Sequence, residues 1–138
     1  MVRDGPFALL HATKETIEAN WVLEYLPSLL APEETRYQTR RDILAALRDA
    51  GFGRTQVTPV FYTDIEDGSA QALKHNPKAF LANVKNTSLF YRLSAGKRDE
   101  VLATIRRDYE SGRLREVIAR YEPLVREYRD GSFFAAWP

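Results

Sequence analysis

The chain contains no cysteine, which removes disulfides, thiolate metal sites and cysteine nucleophiles together. Its two histidines, His11 and His75, are too few for a multi-histidine metal centre. Its seven glycines are scattered, and none belongs to a G-x-G-x-G cluster. The backbone turn that lets a dinucleotide or related cofactor approach a strand end is therefore missing. An excess of one charge is lacking too: 20 Lys and Arg against 19 Asp and Glu leave a formal net charge of +1. Nucleic acid and anionic membranes both demand a cationic surplus, so neither is expected as a partner. No apolar run is long enough to span a bilayer, and the first residues lack the apolar core of a signal peptide. The expectation is a soluble, cytoplasmic domain.

What is present is ordinary for a globular chain. With 138 residues, 44% of them hydrophobic and 28% charged, there is enough apolar material for one core and one domain. No repeat or composition shift divides it. Residues 7–12 form a short apolar run after Gly5-Pro6, the pattern of a strand covered on both faces. Thr13 can cap a helix carrying Ile17, Trp21 and Tyr25, which Pro27 ends. Residues 28–38 read as an irregular connection. Thr39, three residues before Asp42, caps a second helix with Ile43, Leu44 and Leu47 on its apolar stripe, closed by Gly51 in a left-handed turn.

Residues 55–63 read as a strand, and Pro59 inside it demands a sheet edge or a bulge because proline donates no ladder hydrogen bond. Residues 64–78 read as a loop with room for one helical turn around Ala70 to Leu73. Helical spacing then runs from Lys78 to Leu93, interrupted at Asn86-Thr87-Ser88. It resumes from Lys97 to Glu110 and, past Ser111-Gly112, from Leu114 to Tyr128. Pro123 lies in this last stripe and predicts a kink near Ala119 or a break. Residues 132–137 form a final strand, apolar on both faces.

The fold class that follows is α/β, or α+β for the isolated chain. A three-stranded mixed sheet has the order first–last–middle as its simplest arrangement, because the first and last strands are apolar on both faces while the proline strand wants an edge. The last strand runs antiparallel. Residues 1–63 and 132–138 would supply the sheet and its flanking helices, and residues 64–131 a helical insertion or lid.

Several of these segments resemble one family. Arg40-Arg41-Asp42-Ile43-Leu44-Ala45-Ala46-Leu47 through Ala50-Gly51-Phe52 resembles the helix and "aGF" turn before the sixth strand of class I S-adenosylmethionine-dependent methyltransferases. The opening Val2-Arg3-Asp4-Gly5-Pro6-Phe7-Ala8-Leu9-Leu10 is similar to the turn that enters their fifth strand. Phe133-Phe134-Ala135-Ala136-Trp137 is similar to their reversed seventh strand, which inserts between the other two. Residues 86–122 are similar to a helical insertion that covers the substrate in one branch of these enzymes.

The resemblance implies half of a Rossmann-like methyltransferase fold. The chain would be the carboxyl-terminal, substrate-covering part of an enzyme that moves a methyl group from S-adenosylmethionine to a small-molecule acceptor. It would be truncated or split and inactive alone, because the cofactor's glycine turn and acidic ribose partner have no counterpart here. An apolar first strand with one open side would pair with a separate amino-terminal half or form a homodimer through residues 7–12. The alternative is a non-enzymatic binding or protein-interaction domain that keeps this architecture. A free-standing hydrolase lacks any nucleophile–base pair.

Candidate site residues follow from position. His11 ends the first strand, where ligands approach open α/β sheets; it can orient an acceptor or act as a base, or it can bond to backbone. Trp21, Tyr25 and Tyr37 lie beyond that strand and can line a pocket, although ordinary core packing also accounts for aromatics at this spacing. Asn83, Asn86 and Ser88 interrupt an apolar helix and can face an acceptor, or can cap a helix break. Asp64, Glu66 and Asp67 lack the spacing of a calcium loop. The arginines and acids interleaved between residues 98 and 129 read as a solvated, ion-paired surface.

Overall fold

The computed structural model describes residues 5–60, 68–128 and 130–138. The expected strand end at Phe61 to Thr63, the acidic loop of Asp64, Glu66 and Asp67, the entering turn at Val2-Arg3-Asp4 and Arg129 lie outside these residues. Among the described residues there are three strands and seven α-helices. The strands are β1 (Phe7–His11), β2 (Arg54–Val60) and β3 (Gly131–Trp137). They form one sheet of order β1-β3-β2, as expected. Leu9 stands opposite Phe134, which stands opposite Val57, and Pro59 stands opposite Ser132 on the edge strand β2.

Both neighbouring pairs are antiparallel, so the sheet is antiparallel rather than mixed. β1 and β2 run the same way but never touch, because β3 separates them. The two apolar faces also differ from expectation. Phe134, Ala136, Leu9 and Val57 pack on Ile43, Leu44 and Leu47 of α3 (Arg40–Asp49) and on Phe52. The other face carries Leu10, 48% exposed, and Phe133, 39% exposed, with Arg54 lying over the Trp137 ring at 4.1 Å. One helix covers one face; the second face is open among the described residues.

Local chemistry explains the helix boundaries. Thr13 and Thr16 form a reciprocal capping box at α1 (Lys14–Glu18). The predicted helix through Tyr25 does not continue: Asn20 caps a separate 3₁₀ helix, Trp21–Tyr25, by accepting from the Val22 N–H at 3.1 Å. Pro27 then opens a helix instead of only ending one. Its missing N–H costs nothing in the first turn, so α2 (Pro27–Glu34) occupies most of the stretch expected to be irregular. Thr39 caps α3 as predicted, accepting from Asp42 N–H at 3.0 Å, and Gly51 adopts φ 97.

The segment expected to be mostly loop contains α4 (Gly68–His75). Asn76 and Pro77 then start α5 (Pro77–Val84). The polar triplet does break the stripe: a second 3₁₀ helix, Ser88–Arg92, follows it. Ser94 caps α6 (Ala95–Ser111), and Gly112 at φ 84 turns the chain into α7 (Arg113–Tyr128), which runs past Pro123 unbroken, so of the two outcomes expected there a break does not occur.

A second core is helical. Trp21, Val22, Leu23 and Leu26 are buried with Leu73, Val84, Phe90, Ile105, Leu114 and Ile118. The first 3₁₀ helix and α2 thus pack with the insertion rather than with the sheet. Their apolar residues recur at helical spacing and meet other helices, whereas α3 presents its stripe to the strands. Glu33, 4% exposed, is held on α2 by Arg36 and by Arg92 of the second 3₁₀ helix.

Candidate functional site

A pocket of about 470 Å³ opens where β1 ends, a volume within the usual range for small-molecule sites. Ala12, the residue after β1, and Asp130, the residue before β3, bound it on the sheet side. Thr16 and Ile17 of α1, the Asn20–Trp21 junction, and Phe80, Asn83 and Thr87 on and after α5 supply the remaining walls. The Trp21 and Phe80 rings stack with centroids 5.8 Å apart and planes 23° from parallel. Trp21 Nε1–H donates to Ser69 Oγ at 3.1 Å, which ties the start of α4 to the aromatic pair.

Each candidate residue has a definite place. Trp21 and Asn83 line this pocket. Trp21 is also core, at 6% exposure, so the two readings of it hold together. Tyr25 does not reach the pocket: its ring meets Trp21 edge-on at 6.2 Å and its hydroxyl donates to Asp108 Oδ2 at 2.8 Å. His11 and Tyr37 meet each other, centroids 5.9 Å apart, with the Arg36 guanidinium over the Tyr37 ring. Neither lines the pocket, although its wall begins at the residue after His11. Asn86 and Ser88 are exposed at the break after α5.

Tyr25 belongs to a second cleft of about 380 Å³ between the first 3₁₀ helix, α6 and α7. The ionised groups there satisfy one another. Arg113 pairs with Asp108 at 3.6 Å and Lys97 with Glu100 at 3.2 Å; Glu24 takes Arg120 at 2.8 Å and the Tyr121 hydroxyl at 3.0 Å. The bonds from Arg120 and Tyr121 hold the Glu24 carboxyl below its usual range, and burial with the Asp108 bond pushes the Tyr25 hydroxyl up. Tyr25 stays protonated throughout the physiological range. The cleft is an ion-paired seam.

Thr16, Asn20, Phe80 and Thr87 line the first pocket and escaped the sequence reading. Thr87 stood inside the polar triplet between two residues that were singled out. Asn20 carried a cap signal that a continuous helical stripe concealed. Among the described residues no group of three or more His, Asp or Glu is arranged to hold a metal ion. Among the same residues no helix is long and apolar enough to cross a membrane. No family model matches the chain, and no curated protein or solved structure matches it.

Proposed function

We propose that this chain forms the substrate-side part of an S-adenosylmethionine-dependent methyltransferase, one half of a Rossmann-like fold, acting on a small-molecule acceptor. The observation that supports the reading best is the pocket's place. It sits at the carboxyl end of β1, beside two co-directional strands with a reversed strand between them, and helices roof it. Open α/β sheets receive ligands at that end. The chemistry asked of such a site is chiefly alignment of the acceptor with the methyl donor.

The chain's own residues do not fit S-adenosylmethionine. The described glycines in a left-handed conformation, Gly51 and Gly112, follow helices rather than strands. No step is therefore assigned to cofactor held by this chain. On this reading the free side of β1 receives a further strand, from a separate amino-terminal half or from a second copy in a homodimer. A second reading, a non-enzymatic binding domain, is favoured by the open apolar sheet face at Leu10 and Phe133.

Calorimetric titration separates a substrate-side part from a complete enzyme. S-adenosylmethionine added to the isolated chain is expected to give no saturable heat. Stoichiometric binding at micromolar concentration would mean that the cofactor site is present and the assignment of halves is wrong.

A further inference from the structure

We infer that a cavity between α4 and α7 is a binding site for a small organic anion, a carboxylate carried on one ring or a short apolar chain. The cavity shares no lining residue with the pocket at the end of β1, and the inference does not rest on the proposed function. Its volume is about 280 Å³, at the small end for small-molecule sites. Residue spacing builds it. Ala70, Leu73 and Lys74 recur three and four positions apart and so share one face of α4; Arg115 and Ile118, three apart, share one face of α7. Leu73 and Ile118 are buried in the helical core, with Ala70 packed beside them, so the floor is apolar. Lys74 and Arg115 line the same cavity but are exposed, which sets their charged heads at its mouth while their stems extend the apolar wall.

The two cations carry the argument. Arg113, Arg120 and Arg126, on the same helix as Arg115, are paired with Asp108, Glu24 and Glu122. The Arg115 and Lys74 side chains make no hydrogen bond or ion pair among the described residues. Glu116, next to Arg115 in the chain, points about a hundred degrees round the helix, and its charge acts on Arg120. Two like charges from different helices thus meet at one apolar mouth, and an anion between them relieves their repulsion. An apolar body gains by leaving water for the floor, while its carboxylate stays at the mouth and keeps most of its hydration. A neutral molecule of the same shape uses the floor alone, and a cation meets repulsion.

The test titrates one apolar body with three head groups, 3-phenylpropionate, 3-phenylpropanol and 3-phenylpropylammonium, and the bare head as propionate. The readout is the δ1 methyl of Ile118 in the chain labelled with ¹³C at isoleucine methyls, assigned by Ile118→Val. That methyl should shift saturably with 3-phenylpropionate. The alcohol and propionate should each need at least about tenfold higher concentration, since each keeps only one of the two contributions; the ammonium should bind most weakly. Lys74→Gln and Arg115→Gln, both at exposed positions, should each weaken 3-phenylpropionate by about threefold to fivefold and leave 3-phenylpropanol unchanged. Added salt should likewise weaken the acid and spare the alcohol. Equal or tighter binding of the alcohol or the ammonium would overturn the ligand class. No saturable Ile118 shift with any probe would overturn the site. Glutamine variants that leave the acid unchanged, or weaken acid and alcohol alike, would remove the role of the two cations and the inference with it.

Discussion

Arg40 joins the two cores with one side chain. Its Nε donates to Ser132 Oγ at 2.9 Å, and its guanidinium lies over the Tyr128 ring at 4.5 Å. Its backbone N–H donates to both Glu15 carboxylate oxygens at 3.1 Å. Strand, long helix and first helix therefore meet at the start of α3. Ser132 is fully buried, so removing the guanidinium strands its hydroxyl, which costs about 1–3 kcal/mol, and forfeits a cation–π contact of about 0.5–1 kcal/mol. Arg40→Met is expected to lower the urea-unfolding free energy by about 2 kcal/mol, with Ser132→Ala in the same background recovering part of it. A loss under about 0.5 kcal/mol would show that Ser132 finds another partner. None of this was readable beforehand. Arg40 and Ser132 are 92 positions apart, and the local signal at Arg40 spoke only of a helix start.

The strands and helices show where local rules suffice and where they do not. Pro59 announced an edge strand and Thr39 a helix start, because proline's missing donor and a threonine cap act within a few residues. Pro27 was misleading, since proline breaks a helix in its interior but suits its first turn, and spacing alone cannot tell the two apart; Pro32 lies inside α2 and does not end it. The apolar runs in β1 and β3 misled differently. Composition says that a face prefers burial, and only the partner's presence decides whether it is buried. Leu10, half exposed on the open face beside a strand with no charged residue, makes that edge prone to pairing. Light scattering is expected to give a mass above that of the monomer for the wild-type chain and the monomer mass for Leu10→Lys. A monomeric wild type whose β1 amides exchange as slowly as those of β3 would show that the edge is already covered.

The two cores give the molecule its division of labour. A small sheet core rests on α3, and a larger helical core gathers the first 3₁₀ helix, α2 and α4 to α7, with the pocket where that helical core meets the end of β1. The sheet order was legible because an edge proline and an apolar last strand leave one simple arrangement. The pocket was legible only in part. Trp21 and Asn83 converge on it, but Tyr25, Tyr37 and His11 are drawn into side-chain pairs that depend on Asp108, Arg36 and each other. The central claim is that this architecture serves methyl transfer together with a cofactor half that the chain itself lacks. Antibodies raised against the recombinant chain can precipitate the native species from its source cells, for ultraviolet cross-linking with tritium-labelled S-adenosylmethionine. The account predicts label on the precipitated species, lost in the presence of excess unlabelled cofactor, and none on the recombinant chain alone. A native species that takes up no competable label would contradict it.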